Sequence, residues 1–416
     1  MLKKIGLISL GCRLNSYESD SIITKLIEEG YEIDNQDADI YIINSCVITE
    51  RSVAKTRNVI NRCLKKDAKL IITGCMVKTI EQKDNIIFIP NDFKSKIPEI
   101  IKKIDNIIEK NNIEPSRFDY HAPYLTPNTR VNIKIQDGCD NFCSYCILPF
   151  VRGSKVLSRP LKDIENEVKI LLDKGFKEIV ITGLNITKYN YDFYNLNDLL
   201  DTLLKINHNF RLHLSSIEPI FINERFIETL MHPKMVRHLH LSLQSASNKI
   251  LQLMNRKYRI EKVIDAVEKI RDKDRLFNFT ADIISGFPGE TDEDHKENCK
   301  IIDKIGLYHT HIFRYSDRPN TKASTMDNKV DEKIKKIRSN ELEKIAKESK
   351  IKVLKKFEFK ISTVLVEKND KDSYGLNEYY IPVHISKKLI QNNLYKVKTH
   401  FHNNILYGEL IDDNTK

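Results

Sequence analysis

Asp137-Gly138-Cys139-Asp140-Asn141-Phe142-Cys143-Ser144-Tyr145-Cys146 places three cysteines within eight residues, in the spacing Cys-x-x-x-Cys-x-x-Cys. Just before it, Val131, Ile133 and Ile135 alternate with the polar Asn132 and Lys134, which is the period of a strand. The cysteines therefore follow the carboxyl end of a strand, where open α/β sheets and barrels carry their sites. Thiolates this close can share one metal ion or one small cluster. Most iron–sulfur cubanes take four cysteines. Three leave one iron without a protein ligand, and an open coordination position marks a reacting site rather than a structural one. The competing reading is a zinc loop. Zinc sites usually pair two Cys-x-x-Cys units or add histidines at short spacing. Here His121 lies upstream and the next histidine is the distant His208.

Working outward toward the start, residues 1–110 alternate strands and helices. Ile5–Leu10 reads as a strand ending at Gly11-Cys12, Ile40–Asn44 as one ending at Ser45-Cys46, and Leu70–Thr73 as one ending at Gly74-Cys75. Ser19–Glu29 and residues 50–65 carry helical periodicity. Strands separated by helices imply a parallel sheet, so Cys12, Cys46 and Cys75 fall on one edge. They are either small buried apolar residues or the ligands of a second cluster. Cys63 and Cys299 lie within helical patterns, match no metal spacing, and read as ordinary core or surface residues. Asn111-Asn112, Pro115, Pro123 and Pro127 mark a linker over residues 105–130.

Residues 131–316 give six strand-like runs: Val131–Gln136, Glu178–Thr182, Arg211–Ser215, His238–Leu243, Asn278–Ile284 and His309–Tyr315. Helical patterns separate most of them, which predicts a partial (β/α)6 barrel with its site at the carboxyl face. Polar or glycine-bearing stretches follow the strands. Gly183, Asn185, Ser216, Glu218, Gln244, Ser245 and Gly286 are the candidate cofactor-binding residues among them. Asp331–Lys356 is a long charged helical pattern whose basic run is either a solvated face or an RNA contact. From Phe357 the chain changes to short strands with polar connections. That is a small antiparallel barrel, serving either as an RNA-binding module or as a cap.

Composition bounds the function class. The chain has 416 residues, enough for about three domains. No apolar run is long enough to span a membrane. The apolar stretch of the start, Met1–Leu10, is too short for a signal peptide and gives way at once to Arg13, Asn15 and Glu18. Eight cysteines in a chain this long make no disulfide scaffold, so reduced thiols and a cytoplasmic location are expected. The net charge of +10 favours a polyanionic partner such as RNA, although lysine richness throughout the chain gives the same balance.

Taken in order, these motifs resemble the methylthiotransferases. These are radical S-adenosylmethionine enzymes with an amino-terminal cluster domain and a carboxyl-terminal RNA-binding barrel, the TRAM domain. Cys139, Cys143 and Cys146 match the ligands of the radical 4Fe–4S cluster, whose fourth iron takes the amino and carboxylate groups of S-adenosylmethionine. Phe142 and Tyr145 would then form an apolar cover over cluster and cofactor. Cys12, Cys46 and Cys75 match the ligands of the family's second 4Fe–4S cluster. Arg152-Gly153, Ser158-Arg159-Pro160, the segment from Phe313 to Ala323, and Val364-Leu365-Val366-Glu367 match further family stretches. Thr182–Asn185, Ser215–Pro219 and Leu241–Ser245 look like the branch acting on threonylcarbamoyladenosine. The isopentenyladenosine branch typically has a proline where Ser242 stands. Asn320 and Ala246 stand where glycines are usual, and the tail lacks several glycines common in the TRAM domain.

The resemblance implies an α/β chain with a methylthiotransferase cluster domain over 1–110, a radical core over 125–355 and a TRAM domain over 356–416. It implies methylthiolation of carbon 2 of N6-threonylcarbamoyladenosine at position 37 of tRNA, beside the anticodon. The expected cofactors are two 4Fe–4S clusters and S-adenosylmethionine. The expected partners are a tRNA anticodon stem-loop, an electron donor such as flavodoxin or ferredoxin, and a sulfur source. No acid–base residue is assigned beyond the cluster ligands. The alternatives are an isopentenyladenosine methylthiotransferase and a non-catalytic zinc- and RNA-binding protein.

Overall fold

Ile5, Leu7, Ile40, Ile42, Ile43, Leu70, Ile71 and Ile72 are almost fully buried, and they come from three strands covered on both faces. Such strands read as continuous apolar runs because helices lie on either side. The computed structural model describes residues 3–66, 68–77, 86–106 and 113–411. In it, Glu32–Ile33, Lys4–Ser9, Ile40–Ser45, Lys69–Gly74 and Ile86–Phe88 form one sheet in that spatial order, every pair parallel. The register sets Leu7 beside Ile42 and Ile42 beside Ile71. Helix Glu50–Cys63 starts on a Thr49 side chain that accepts from the Ser52 amide, an ordinary N-cap. Cys63 is buried in the core beneath it. Asn111 and Asn112 of the expected linker lie outside the described residues; Pro115, Pro123 and Pro127 lie in an irregular segment.

The first helix departs from the periodic reading. It spans Arg13–Glu28, starting six residues earlier than expected, with Cys12 at its N-cap position. Asn15, Glu18 and Ser19 look like surface residues in the sequence, yet each is about 1 % exposed. They are buried because the helix packs on the first barrel strand, Arg130–Asp137. Glu18 accepts from Lys94 at 2.6 Å, Lys134 at 2.8 Å and Arg152 at 2.6 Å, while Asp137 accepts from Lys134 at 2.7 Å and Arg152 at 3.0 Å. Burial opposes ionisation of both carboxyls. The surrounding cations outweigh it and hold both well below the usual carboxylate range.

Six parallel strands form the expected partial barrel: Arg130–Asp137, Glu178–Gly183, Arg211–Leu214, His238–Gln244, Asn278–Ser285 and His309–Arg314. A parallel bridge between Ile217 and Leu241 joins the two halves. Val131, Ile133 and Ile135 face the outer helices and share a core with Ile164, Val168 and Leu171. The other face of the strands is largely polar. His238 and His240, Thr280 and Asp282, and His309 and His311 repeat every second residue, so they point together into the lumen. The long helix Glu332–Lys355 packs against the last strand and the helix Asp292–Ile305. Its basic run is engaged locally: Lys352 pairs with Asp303 at 2.6 Å and Lys350 lies over the Tyr308 ring.

The tail is a closed barrel of Ile361–Asn369, Ser373–Asn377, Pro382–Ile385, Ile405–Leu410 and Leu394–His402, in that order around the wall. Tyr379 and Tyr380 lie in a turn ahead of Pro382–Ile385; Tyr380 has φ 62°. That turn enters the foot of the larger barrel. The Asn278 amide group donates to the Tyr379 carbonyl at 2.9 Å, and the Arg237 N–H donates to the Glu378 carbonyl at 2.7 Å.

Candidate functional site

Each of the three central strands of the amino-terminal sheet ends within three residues of a cysteine, as the parallel reading requires. Two glycines let these ends close up. Gly11 has φ +102°, and a Cβ there would stand 2.7 Å from Cys46 Sγ. Gly74 has φ +92°, and a Cβ there would stand 2.5 Å from the Ser45 carbonyl oxygen. Ser45 Oγ accepts from the Met76 amide at 3.0 Å and fixes the loop that carries Cys75. Burial pushes the Cys46 thiol up and the Cys75 thiol to about 12, so as thiolates they need a cationic partner in direct contact.

The second set lies on the loop after Arg130–Asp137. The Cys139 N–H donates to the Gly153 carbonyl at 3.1 Å and the Cys146 N–H to the Cys143 carbonyl at 2.9 Å. Burial raises the Cys139 thiol and takes Cys146 to about 12. Arg256 Nη1 stands 3.2 Å from Cys143 Sγ and 3.0 Å from Glu218, while its Nη2 donates to the Ser242 carbonyl at 3.0 Å. A guanidinium at this place favours a thiolate or an anionic cluster. Ile147 and Val151, just past this loop, share one apolar core with Cys46 and Cys75. The two cysteine sets therefore flank the same layer.

The donor sets suit clusters better than single ions. Among the described residues, the groups of three whose ligand atoms come within 4.8 Å of one another are His240, Asp282 and His311, and His295, Cys299 and Glu341. Neither cysteine triad is so tight. Sulfurs on one zinc, each bound at about 2.3 Å, stand less than about 4 Å apart.

The candidate cofactor residues divide. Asn185 takes the Gln136 side-chain oxygen on its amide at 2.8 Å, and its own Nδ2 is buried without a partner. Ser285 Oγ, next to Gly286, is buried and unpartnered too. Such orphaned groups at strand ends suit a polar ligand like S-adenosylmethionine. Glu218 accepts from Asn141 on the cysteine loop at 2.7 Å. Gly183 and Ser216 line a cavity of about 780 Å³, described below. Gln244 sits at a bulge with φ 66°. Ser245 instead faces inward to Asn298 at 3.2 Å, and Gly286 donates to Glu290 at 2.9 Å. Tyr145 packs against Ile250, Met254 and Phe287, whereas Phe142 is half exposed with its edge to Phe150.

The cavity of about 780 Å³ occupies the barrel lumen. Cys12 and Arg13 form one side, Thr182–Leu184 and Ser215–Ser216 the strand ends, the histidine rows the wall, and Tyr380 the floor. Sequence reading passed over Arg13, Arg256 and Tyr380. The signal for the lumen was present as polar residues at every second position of strands already recognised. Arg13, Arg256 and Tyr380 carried no such signal.

Comparison with known proteins agrees with this geometry. Residues 133–302 match the model of the Radical SAM superfamily, and residues 4–89 match the family described as Uncharacterized protein family UPF0004. The chain is 36 % identical over 395 residues to a threonylcarbamoyladenosine tRNA methylthiotransferase of Thermotoga maritima, covering 91 % of each chain. It is 32 % identical to one of Bacillus subtilis, covering 89 % of this chain and 86 % of that one. A tRNA-2-methylthio-N(6)-dimethylallyladenosine synthase of Fusobacterium nucleatum is 34 % identical, covering 88 % of each. Among solved structures, a radical S-adenosylmethionine methyltransferase of Kitasatospora setae shares the fold at TM-score 0.56 and 14 % identity, over 78 % of this chain and 74 % of that one.

Proposed function

Since the chain belongs to the methylthiotransferase family of radical S-adenosylmethionine enzymes that modify tRNA, we propose that it methylthiolates carbon 2 of N6-threonylcarbamoyladenosine at position 37. The carbon–hydrogen bond at that position is not acidic, so general-base chemistry does not break it usefully. When bound, two 4Fe–4S clusters and S-adenosylmethionine would supply the hydrogen abstraction, a place to hold the sulfur and the methyl group. The chain's own residues hold and enclose. Cys139, Cys143 and Cys146 hold the radical cluster, with Arg256 beside Cys143. Cys12, Cys46 and Cys75 hold the second. Asn185, Ser216 and Glu218 orient the cofactor at the strand ends, and the lumen takes the base and keeps water from it.

The observation that carries this reading is that Cys12 and the barrel strand ends line one cavity. A base brought into it lies beside Cys12. A loop nucleotide is more easily splayed into such a cavity than one in a duplex. The outer face of the tail strand Leu394–His402 exposes Lys396 and Lys398, next to exposed Phe359 and Lys360. Lysines beside an exposed ring suit the phosphates and bases of an anticodon stem-loop, and make binding salt-dependent. An electron donor of the flavodoxin or ferredoxin kind and a sulfur source complete the turnover. Nucleoside analysis of tRNA from a deletion strain tests the assignment. Threonylcarbamoyladenosine should accumulate at the cost of its methylthio derivative. Loss of methylthio-isopentenyladenosine instead assigns the chain to the other branch.

A further inference from the structure

The cavity holds a cation that makes no salt bridge among the described residues. Arg13 follows Cys12 directly and opens the first helix, with its guanidinium at the lumen. Its partner is Tyr380, whose hydroxyl it reaches at 3.1 Å. Arg130 donates to the same hydroxyl at 2.7 Å but is already paired with Glu367. The other charged lining residue, Asp282, faces His240 at 3.2 Å. Glu178, behind the wall, lies within 4 Å of Arg211 and His213, and Arg130 and Arg13 act on it only at longer range. Burial lowers the pKa of His213, His238 and His311 and takes His309 to about 4, so these imidazoles are neutral at working pH. An arginine stays charged in proteins. Arg13 is thus the lumen's positive charge with no carboxylate in contact among the described residues. It is held in place by Tyr380, which stacks on His238 with ring centroids 4.6 Å apart.

A partly buried guanidinium without a carboxylate calls for an anionic ligand. The substrate proposed above has one. Threonine joined through its amine to the carbamoyl group keeps a free carboxylate, whereas a dimethylallyl group is apolar and uncharged. Resting on that substrate reading, we propose that Arg13 is the specificity residue of the cavity and binds the threonyl carboxylate through its guanidinium fork, with Tyr380 as its positioning residue. The planar fork matches a carboxylate in two parallel bonds, which lysine cannot copy. The contact also places the base. Because Arg13 adjoins Cys12, a carboxylate anchored there sets the adenine ring beside the amino-terminal cysteine set.

The test uses the full-length, anaerobically reconstituted enzyme at matched iron content. Two anticodon stem-loop RNAs are compared, one with threonylcarbamoyladenosine and one with its threonyl carboxylate converted to a primary amide. The wild type should favour the carboxylate by about 10- to 100-fold in kcat/KM, the worth of a hydrogen bond to a charged group, mostly through KM. Arg13→Gln should bring the two RNAs to near equality by losing the carboxylate RNA alone. Arg13→Lys should keep part of the preference. Equal turnover of the two RNAs by the wild type overturns the proposal without reference to any variant. An Arg13→Gln enzyme that keeps the wild-type ratio, or that loses both RNAs alike, makes Arg13 a general RNA contact and also overturns it. Turnover of an isopentenyladenosine RNA with none of either threonylcarbamoyl RNA rejects the substrate reading, and this inference with it.

Discussion

Burial decides the protonation of several side chains around the first helix. Asp20 lies one turn beyond Ser16, whose hydroxyl reaches it at 3.4 Å, and burial pushes its carboxyl up to about 6 despite that bond. The unfolded chain releases this proton near pH 4. The folded state therefore binds it more tightly, and the stabilisation is complete below about pH 4 and lost as pH rises through about 6. Asp20→Asn removes the penalty of ionising a buried carboxyl. At pH 8 it should raise stability by about 1–3 kcal/mol, with the gain vanishing toward pH 4, in anaerobic thermal melts of both proteins. A variant no more stable than wild type at pH 8 contradicts the raised pKa of this partly buried acid.

At the scale of elements, the first helix joins the amino-terminal sheet to the barrel, and it does so through charge. Arg152 is almost fully buried between Glu18 and Asp137. Removing one member of such a network strands the others in a dry interface. Arg152→Met should destabilise the protein by about 3–5 kcal/mol, read as a shift in the denaturant midpoint. Glu18→Gln should cost less, because the amide oxygen still accepts from Lys94 or Lys134. A midpoint unmoved by Arg152→Met shows that the helix docks by its apolar contacts alone. This helix also shows what a sequence can disclose. The three cysteine-terminated strands and the six barrel strands were legible within a residue or two, because apolar runs and alternation are local signals. The first turn and a half of the helix was not. Asn15, Glu18 and Ser19 are polar and read as surface, and only the distant Lys134 and Arg152 explain their burial. The site followed the same rule: clustered cysteines announced themselves, whereas single polar residues such as Arg13 and Arg256 acquire meaning only from what the fold brings beside them.

In the whole molecule, the carboxyl-terminal barrel closes the foot of the lumen as well as presenting a basic face. Arg211 donates to the carbonyls of Leu376 and Thr363, Asn392 donates to Gly175 at 3.0 Å, and Tyr380 holds two arginines of the cavity. Truncation at residue 356 should therefore weaken tRNA binding and also lower stability, since these groups and the core around Phe357 lose their partners. The melting temperature of the truncated protein reports this directly; an unchanged value means that the tail is only tethered. The central claim is the proposed division of labour between two cysteine sets, one at the ends of the amino-terminal strands and one on the loop after the first barrel strand. Its most direct measurement is iron content together with both products, 5′-deoxyadenosine and methylthiolated tRNA, for Cys46→Ala and Cys143→Ala under strict anaerobiosis. The account predicts that Cys46→Ala retains about half the iron, by the count of two cysteine-held 4Fe–4S clusters, still forms 5′-deoxyadenosine and makes no methylthio product, while Cys143→Ala forms neither. Normal methylthiolation by Cys46→Ala, or undiminished 5′-deoxyadenosine from Cys143→Ala, would contradict it.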